Sequence, residues 1–122
     1  MQKIRLELAR TKDHPEGARD IGYEFTAPLG KDGKIDLDQF HKLKGKCRVV
    51  RFRPSEDNDI GHLVRKPGGS WAFHYDIHSD EEDDESGYRF GDHVMKAGEY
   101  VSIREDDVLV PYRIVQVAPV QA

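Results

Sequence analysis

"IGHLVRKPGGSWAFHYDIH", residues 60 to 78, holds two runs of alternating side chains joined by a turn. Trp71, Phe73, Tyr75 and Ile77 take every second position, with Ala72, His74, Asp76 and His78 between them. Successive strand residues point to opposite faces, so the bulky set is a core face and the other set faces away. Which residues of the first run oppose them depends on the turn. Pro67 cannot take positive φ, which excludes a two-residue type I′ loop. A three-residue loop, with a type I turn on Pro67-Gly68 and a left-handed Gly69, pairs Lys66 with Ser70. Leu63 then opposes Phe73, His62 opposes His74, and Ile60 opposes Asp76. A slip of one residue would place His62 among the aromatics instead.

The same period extends outward from this hairpin. Ile4, Leu6 and Leu8 alternate with Lys3, Arg5 and Glu7, giving a strand over about 3–9. Pro15-Glu16-Gly17 marks a turn, and Ile21, Tyr23 and Phe25 restart the alternation. Further strands are expected near 47–53, 60–65, 70–78, 87–91, 99–104 and 108–117. One helix interrupts them near 37–44, with Asp36 as cap and Gln39 completing a capping box. Leu37, Phe40 and Leu43 share a face of that helix, Ile35 and Phe40 form a staple, and Gly45 stops it. Many short strands at this spacing define a mainly β, all-β class of fold, an antiparallel barrel or sandwich of about six to eight strands. Residues 1–122 are one domain, with an acidic loop near 79–86.

Composition agrees with a packed domain, since 37% of the residues are hydrophobic and 34% charged. The one cysteine, Cys47, excludes an internal disulfide and a Cys-rich zinc site, and suits a reducing, cytoplasmic compartment. No window supplies the roughly 20 apolar residues of a membrane-spanning helix, and no secretory leader is visible at Met1. P-loop, GxGxxG and GxSxG motifs are missing, which argues against the common nucleotide-binding and hydrolase classes.

The net charge of −4 divides unevenly, into +4 over residues 1–66 and −8 over residues 67–122. Lys42, Lys44, Lys46, Arg48, Arg51 and Arg53 form a basic run, and Asp80, Glu81, Glu82, Asp83, Asp84 and Glu85 an acidic one. Such separated patches suit electrostatic recognition, so the leading expectation is a non-enzymatic binding or regulatory module that meets a protein partner. The rival is a metal-dependent enzyme or metal-binding protein. His62, His74 and Asp76 share a face in the favoured register, and two imidazoles with a carboxylate can hold Zn²⁺ or Fe²⁺. No resident cofactor is expected otherwise. A third alternative, nucleic-acid contact through 42–53 with Phe52 as a stacking surface, sits poorly with a pI near 5.8. The acidic run is not an EF-hand, because Glu85 stands where the loop needs glycine. Cys47 has no histidine partner in sequence and reads as a small core residue. The oligomeric state is not legible.

The stretches "GSWAFHYDI" and "GEYVSI…YRIVQV" resemble a group of small single-domain bacterial proteins without an assigned activity. That resemblance implies a bacterial, cytoplasmic protein and carries no function with it.

The inside–outside assignment has a direct check. Phe73→Ala should cost about 3–5 kcal/mol in urea melts, as a large core ring lost to a cavity. Asp83→Ala should stay within about 0.5 kcal/mol.

Overall fold

The structure is a computed structural model and describes residues 1–76 and 84–120. Eight strands form a closed antiparallel barrel in which each strand pairs with the next and the last returns to the first. They are β1 (Gln2–Leu8), β2 (Ala18–Ala27), β3 (Arg48–Phe52), β4 (Asp59–Arg65), β5 (Trp71–Tyr75), β6 (Glu85–Tyr88), β7 (Tyr100–Glu105) and β8 (Val108–Pro119). The helix α1 (Leu37–Leu43) lies between β2 and β3. Closure removes every sheet edge, and of barrel or sandwich the chain forms the barrel.

The β4–β5 register follows the three-residue loop: Leu63 opposes Phe73, His62 opposes His74, and the Lys66 amide donates to the Ser70 carbonyl at 2.8 Å. The turn itself differs from expectation. Gly68 as well as Gly69 has positive φ, at 88° and 92°, which suits a type II rather than a type I bend. Trp71, Phe73 and Tyr75 are buried as the alternation requires, while Ile77 and His78 lie outside the described residues.

Alternation around the barrel fills its interior. Ile4 and Leu6 of β1, Tyr23 and Phe25 of β2, Val49 of β3, Leu63 of β4, Val101 and Ile103 of β7, and Tyr112 and Ile114 of β8 are all buried. Rings pack against rings there: Phe25 lies 5.3 Å from Phe73 and 5.8 Å from Phe90. A barrel of eight strands is just wide enough for such side chains to fill it.

The two ends differ. At one, α1 brings Phe40 edge-on against Trp71, with ring centroids 4.7 Å apart, and Ile35, Phe90 and Met95 complete an apolar plug. Asp36 caps α1 by accepting from the Gln39 amide at 3.1 Å. The Gln39 side chain bonds the Asp36 carboxylate rather than its backbone, because the Asp36 amide already donates to Pro28. Leu37, expected on the packed face, is 37% exposed, so Phe40 alone anchors the helix. Gly45 is not a left-handed stop, since α1 tightens directly into a 3-10 turn over Lys44–Lys46. The strand expected near 87–91 ends at Tyr88, where Arg89 turns left-handed (φ 52°) and Phe90–Asp92 forms a 3-10 turn.

Gly61 tests the register by close approach. A β-carbon there would sit 2.1 Å from the His74 carbonyl oxygen, whereas one at Gly45 meets nothing within 4 Å. Gly61→Ala should therefore lower the urea midpoint strongly. Gly45→Ala should leave it unchanged or raise stability by up to about 1 kcal/mol, by stiffening the unfolded chain.

Candidate functional site

At the end opposite α1 the strand alternation points polar groups inward. β2 places Tyr23 there, β5 Tyr75, β6 Glu85, β8 Tyr112, and Glu105 closes β7. Arg51 of β3 and Arg53 just beyond it approach the same mouth. The Tyr23 hydroxyl lies 2.9 Å from Glu85 Oε1 and 2.6 Å from Glu105 Oε2. Tyr75 donates to Glu85 Oε1 at 2.5 Å, and Tyr112 donates to Glu105 Oε2. Arg53 Nη2 sits 3.2 Å from that same Glu105 oxygen, while its Nη1 donates to the Gly22 and Phe52 carbonyls. Arg51 pairs with Asp59 at 3.3 Å and stands 3.5 Å from Glu85.

Burial governs the protonation of this cluster. It raises the hydroxyls of Tyr23 and Tyr75 above the ordinary tyrosine value, with the Glu85 charge adding to the effect, and it raises Tyr112 beside Glu105. It also lifts the Glu85 carboxyl above the usual glutamate range, against the opposing hydrogen bond from Tyr75. Three neutral tyrosines thus face two carboxyl groups. Beside the cluster opens a groove of about 590 Å³, floored by Arg53, Glu105 and Tyr112 and walled by Ile21, Val108 and Leu109.

Glu85 is the residue that sequence reasoning placed wrongly in kind. In the acidic run it looked like part of a solvated loop, but it opens β6 opposite Phe73 with its side chain 13% exposed. No local signal in Glu85-Ser86-Gly87-Tyr88 marks this, because its register against Trp71–Phe73 is fixed only by the pairing. Tyr75 was legible as core and Tyr23 as part of an alternating strand, while Tyr112 fell in an expected strand with no face assigned; the hydroxyl partners, 62 and 82 residues from Tyr23 in sequence, were not legible.

The histidine face is arranged differently from a three-ligand set. His62 and His74 are cross-strand neighbours on the outer surface, as expected. His62 Nδ1 lies 3.1 Å from Asp76 Oδ1, its Nε2 contacts Arg48, and Arg48 closes the triangle on Asp76 at 2.8 Å. His74 Nδ1 instead turns to Asp84 at 2.6 Å, and Lys66 reaches the other oxygen of that carboxylate. No group of three or more potential metal ligands converges among the described residues. The Arg48 hydrogen bond holds the exposed Asp76 carboxyl below the usual range. Its small contribution is present above the ordinary aspartate value and lost as pH falls through the depressed one.

The basic run is divided in the same way. Arg48, Arg51 and Arg53 are matched by Asp76, Asp59 and Glu105. Lys42, Lys44 and Lys46 are exposed on α1 and the turn after it. Of the acidic run, Asp80, Glu81, Glu82 and Asp83 lie outside the described residues, and the Asp84 side chain is only 4% exposed. Cys47 is fully buried, its thiol directed at the Leu43 carbonyl and pushed up to about 11 by burial.

A second groove, of about 440 Å³, runs between α1 and β4. His41, Lys44, His62, Arg65 and His74 line it above Phe40, Leu63 and Val64, with no carboxylate among the described residues of the lining. Compared with known proteins, the chain matches no family model, no curated protein and no solved structure. Among the described residues, no helix is long and apolar enough to cross a membrane.

The mouth network has a measurable weight. Tyr23→Phe removes a buried hydroxyl shared by two carboxyl groups, and should cost about 1–3 kcal/mol in urea melts. Tyr88→Phe, at a ring 43% exposed, should change stability by less than about 0.5 kcal/mol.

Proposed function

We propose that the chain is a non-enzymatic binding module that takes an acidic segment of a protein partner into the groove between α1 and β4. One observation carries this reading: His41, Lys44, His62, Arg65 and His74 line the groove over an apolar floor, with no carboxylate among its described lining residues. Opposite charge steers encounter and fixes orientation, and the apolar floor adds contact area that simple ion pairing lacks. The exposed Lys42, Lys44 and Lys46 extend the same field along the helix and the turn after it. Arg48, Arg51, Arg53, His62 and His74 contribute less free charge, because each meets an acid of its own chain, which leaves His41, Lys44 and Arg65 to set the field of the groove.

The nucleic-acid reading draws on the same lysines but loses its stacking surface. The Phe52 ring is covered by the Arg5 guanidinium, 4.4 Å from the ring centroid. The metal reading would require His62 to exchange Arg48 or Asp76 for the ion.

A glutamate-rich peptide with one aromatic residue is a suitable probe, followed by amide chemical shifts. Shifts should concentrate at Lys44, Gly45 and His62–Arg65, and affinity should fall at least tenfold between about 50 and 500 mM salt as screening shortens the Debye length. Lys42→Glu with Lys44→Glu should abolish the effect. Binding that survives the double substitution, or shifts confined to the mouth, would exclude this groove as the recognition surface.

A further inference from the structure

A tyrosine hydroxyl carries one proton, yet Tyr23 stands within hydrogen-bond distance of two carboxyl groups, at 2.9 Å from Glu85 and 2.6 Å from Glu105. It can donate to only one of them. The other contact sets lone pair against lone pair unless that carboxyl group brings a proton of its own.

The surroundings decide which one does. Glu105 Oε2 receives the Tyr112 hydroxyl and faces the Arg53 guanidinium, whose side chain is 10% exposed. A carboxylate held by a cation and two hydroxyl donors is well satisfied in its ionised form. Glu85 has a phenol of its own as well, Tyr75 at 2.5 Å, but a poorer cation. Its nearest cation is Arg51 at 3.5 Å, and Arg51 Nε makes no hydrogen bond to it while Nη1 of the same residue is taken by Asp59. Arg51 with Asp59, and Arg53 with Glu105, already balance in charge. An ionised Glu85 would be one negative charge in excess, 13% exposed, beside the phenols of Tyr23 and Tyr75.

We propose that Glu85 holds a proton in the folded barrel at neutral pH and donates it to Tyr23. Both contacts fall on Glu85 Oε1, so in this chain of hydrogen bonds one oxygen accepts from Tyr75 while it donates to Tyr23, and Tyr23 in turn donates to Glu105 Oε2. Glu105 also receives Tyr112 and lines the 590 Å³ groove, so the chain ends at the open mouth. The groups facing Glu85 are Tyr75 from β5, Tyr23 from β2, Arg51 from β3 and Glu105 from β7, with Asp59 of β4 behind Arg51. When the proton leaves to solvent, two carboxylates compete for one hydroxyl proton, and β6 and β7 repel across the mouth. The sign follows from tighter proton binding in the folded state. Stabilisation is complete below the ordinary glutamate value and is lost as pH rises through the higher folded-state value. The mouth is an acid-closed latch.

Carbon-detected NMR of the full chain labelled at glutamate reads the proton directly. The Glu85 carboxyl carbon should show the protonated shift at pH 7 and titrate well above the reference value of about 4.3. Glu85→Gln, whose amide supplies both a donor and an acceptor, should keep the urea midpoint at pH 7 and remove its alkaline decline. Glu105→Gln should lower the midpoint at the same pH, because Arg53 loses its counter-charge. An ionised Glu85 signal at pH 7, or equal losses from the two substitutions, would overturn the assignment. Should either variant fail to fold, the titration of the unaltered chain decides alone.

Discussion

Pairing of β1 with β8 is the constraint from which the rest follows. Ile4 opposite Val117, and Leu6 opposite Ile114 after a register shift, bring the first and last strands together and leave no unpaired sheet edge. All other strand pairs are neighbours in sequence and could form as hairpins. Only the closing pair turns a curled sheet into an enclosed interior, with inside and outside separated at every second residue. The register shifts on β1, one toward each neighbour, accommodate the bend that closure demands.

An enclosed interior must be filled, and the chain fills its two ends by different means. Around α1 the filling is apolar, with Phe40 edge-on to Trp71 and Phe90 against Phe25 and Phe73. Around Glu85 and Glu105 it is hydrogen-bonded. Burying carboxyl groups costs free energy unless donors meet them, so the second solution is the more demanding one.

The hairpin at 60–78 was legible because proline chemistry and the period of two leave one register. The helix was legible from Asp36 and Phe40, though not its end, because Gly45 in a 3-10 turn looks like any terminal glycine. The histidine face was placed correctly, but its hydrogen-bond partners were not legible, since Arg48 reaches it from β3 and Asp84 from the residue before β6. Glu85 marks the limit most clearly. Six consecutive acids announce a solvated loop, and nothing in their composition says that the sixth begins a strand pointing inward. That depends on pairing with β5, a tertiary fact.

Cys47 gives the apolar end a chemical clock. It is the only cysteine, it is fully buried beside Leu43 of α1, and burial keeps its thiol largely un-ionised at neutral pH. A thiol-directed reagent outside the barrel therefore has nothing to react with while α1 stays docked. Each modification event records an excursion in which the helix lifted or the barrel opened. The rate of that reaction, set against the rate for the unfolded chain, gives the fraction of time the plug is out. A sulfur atom placed to fill space thus also timestamps the opening of the fold.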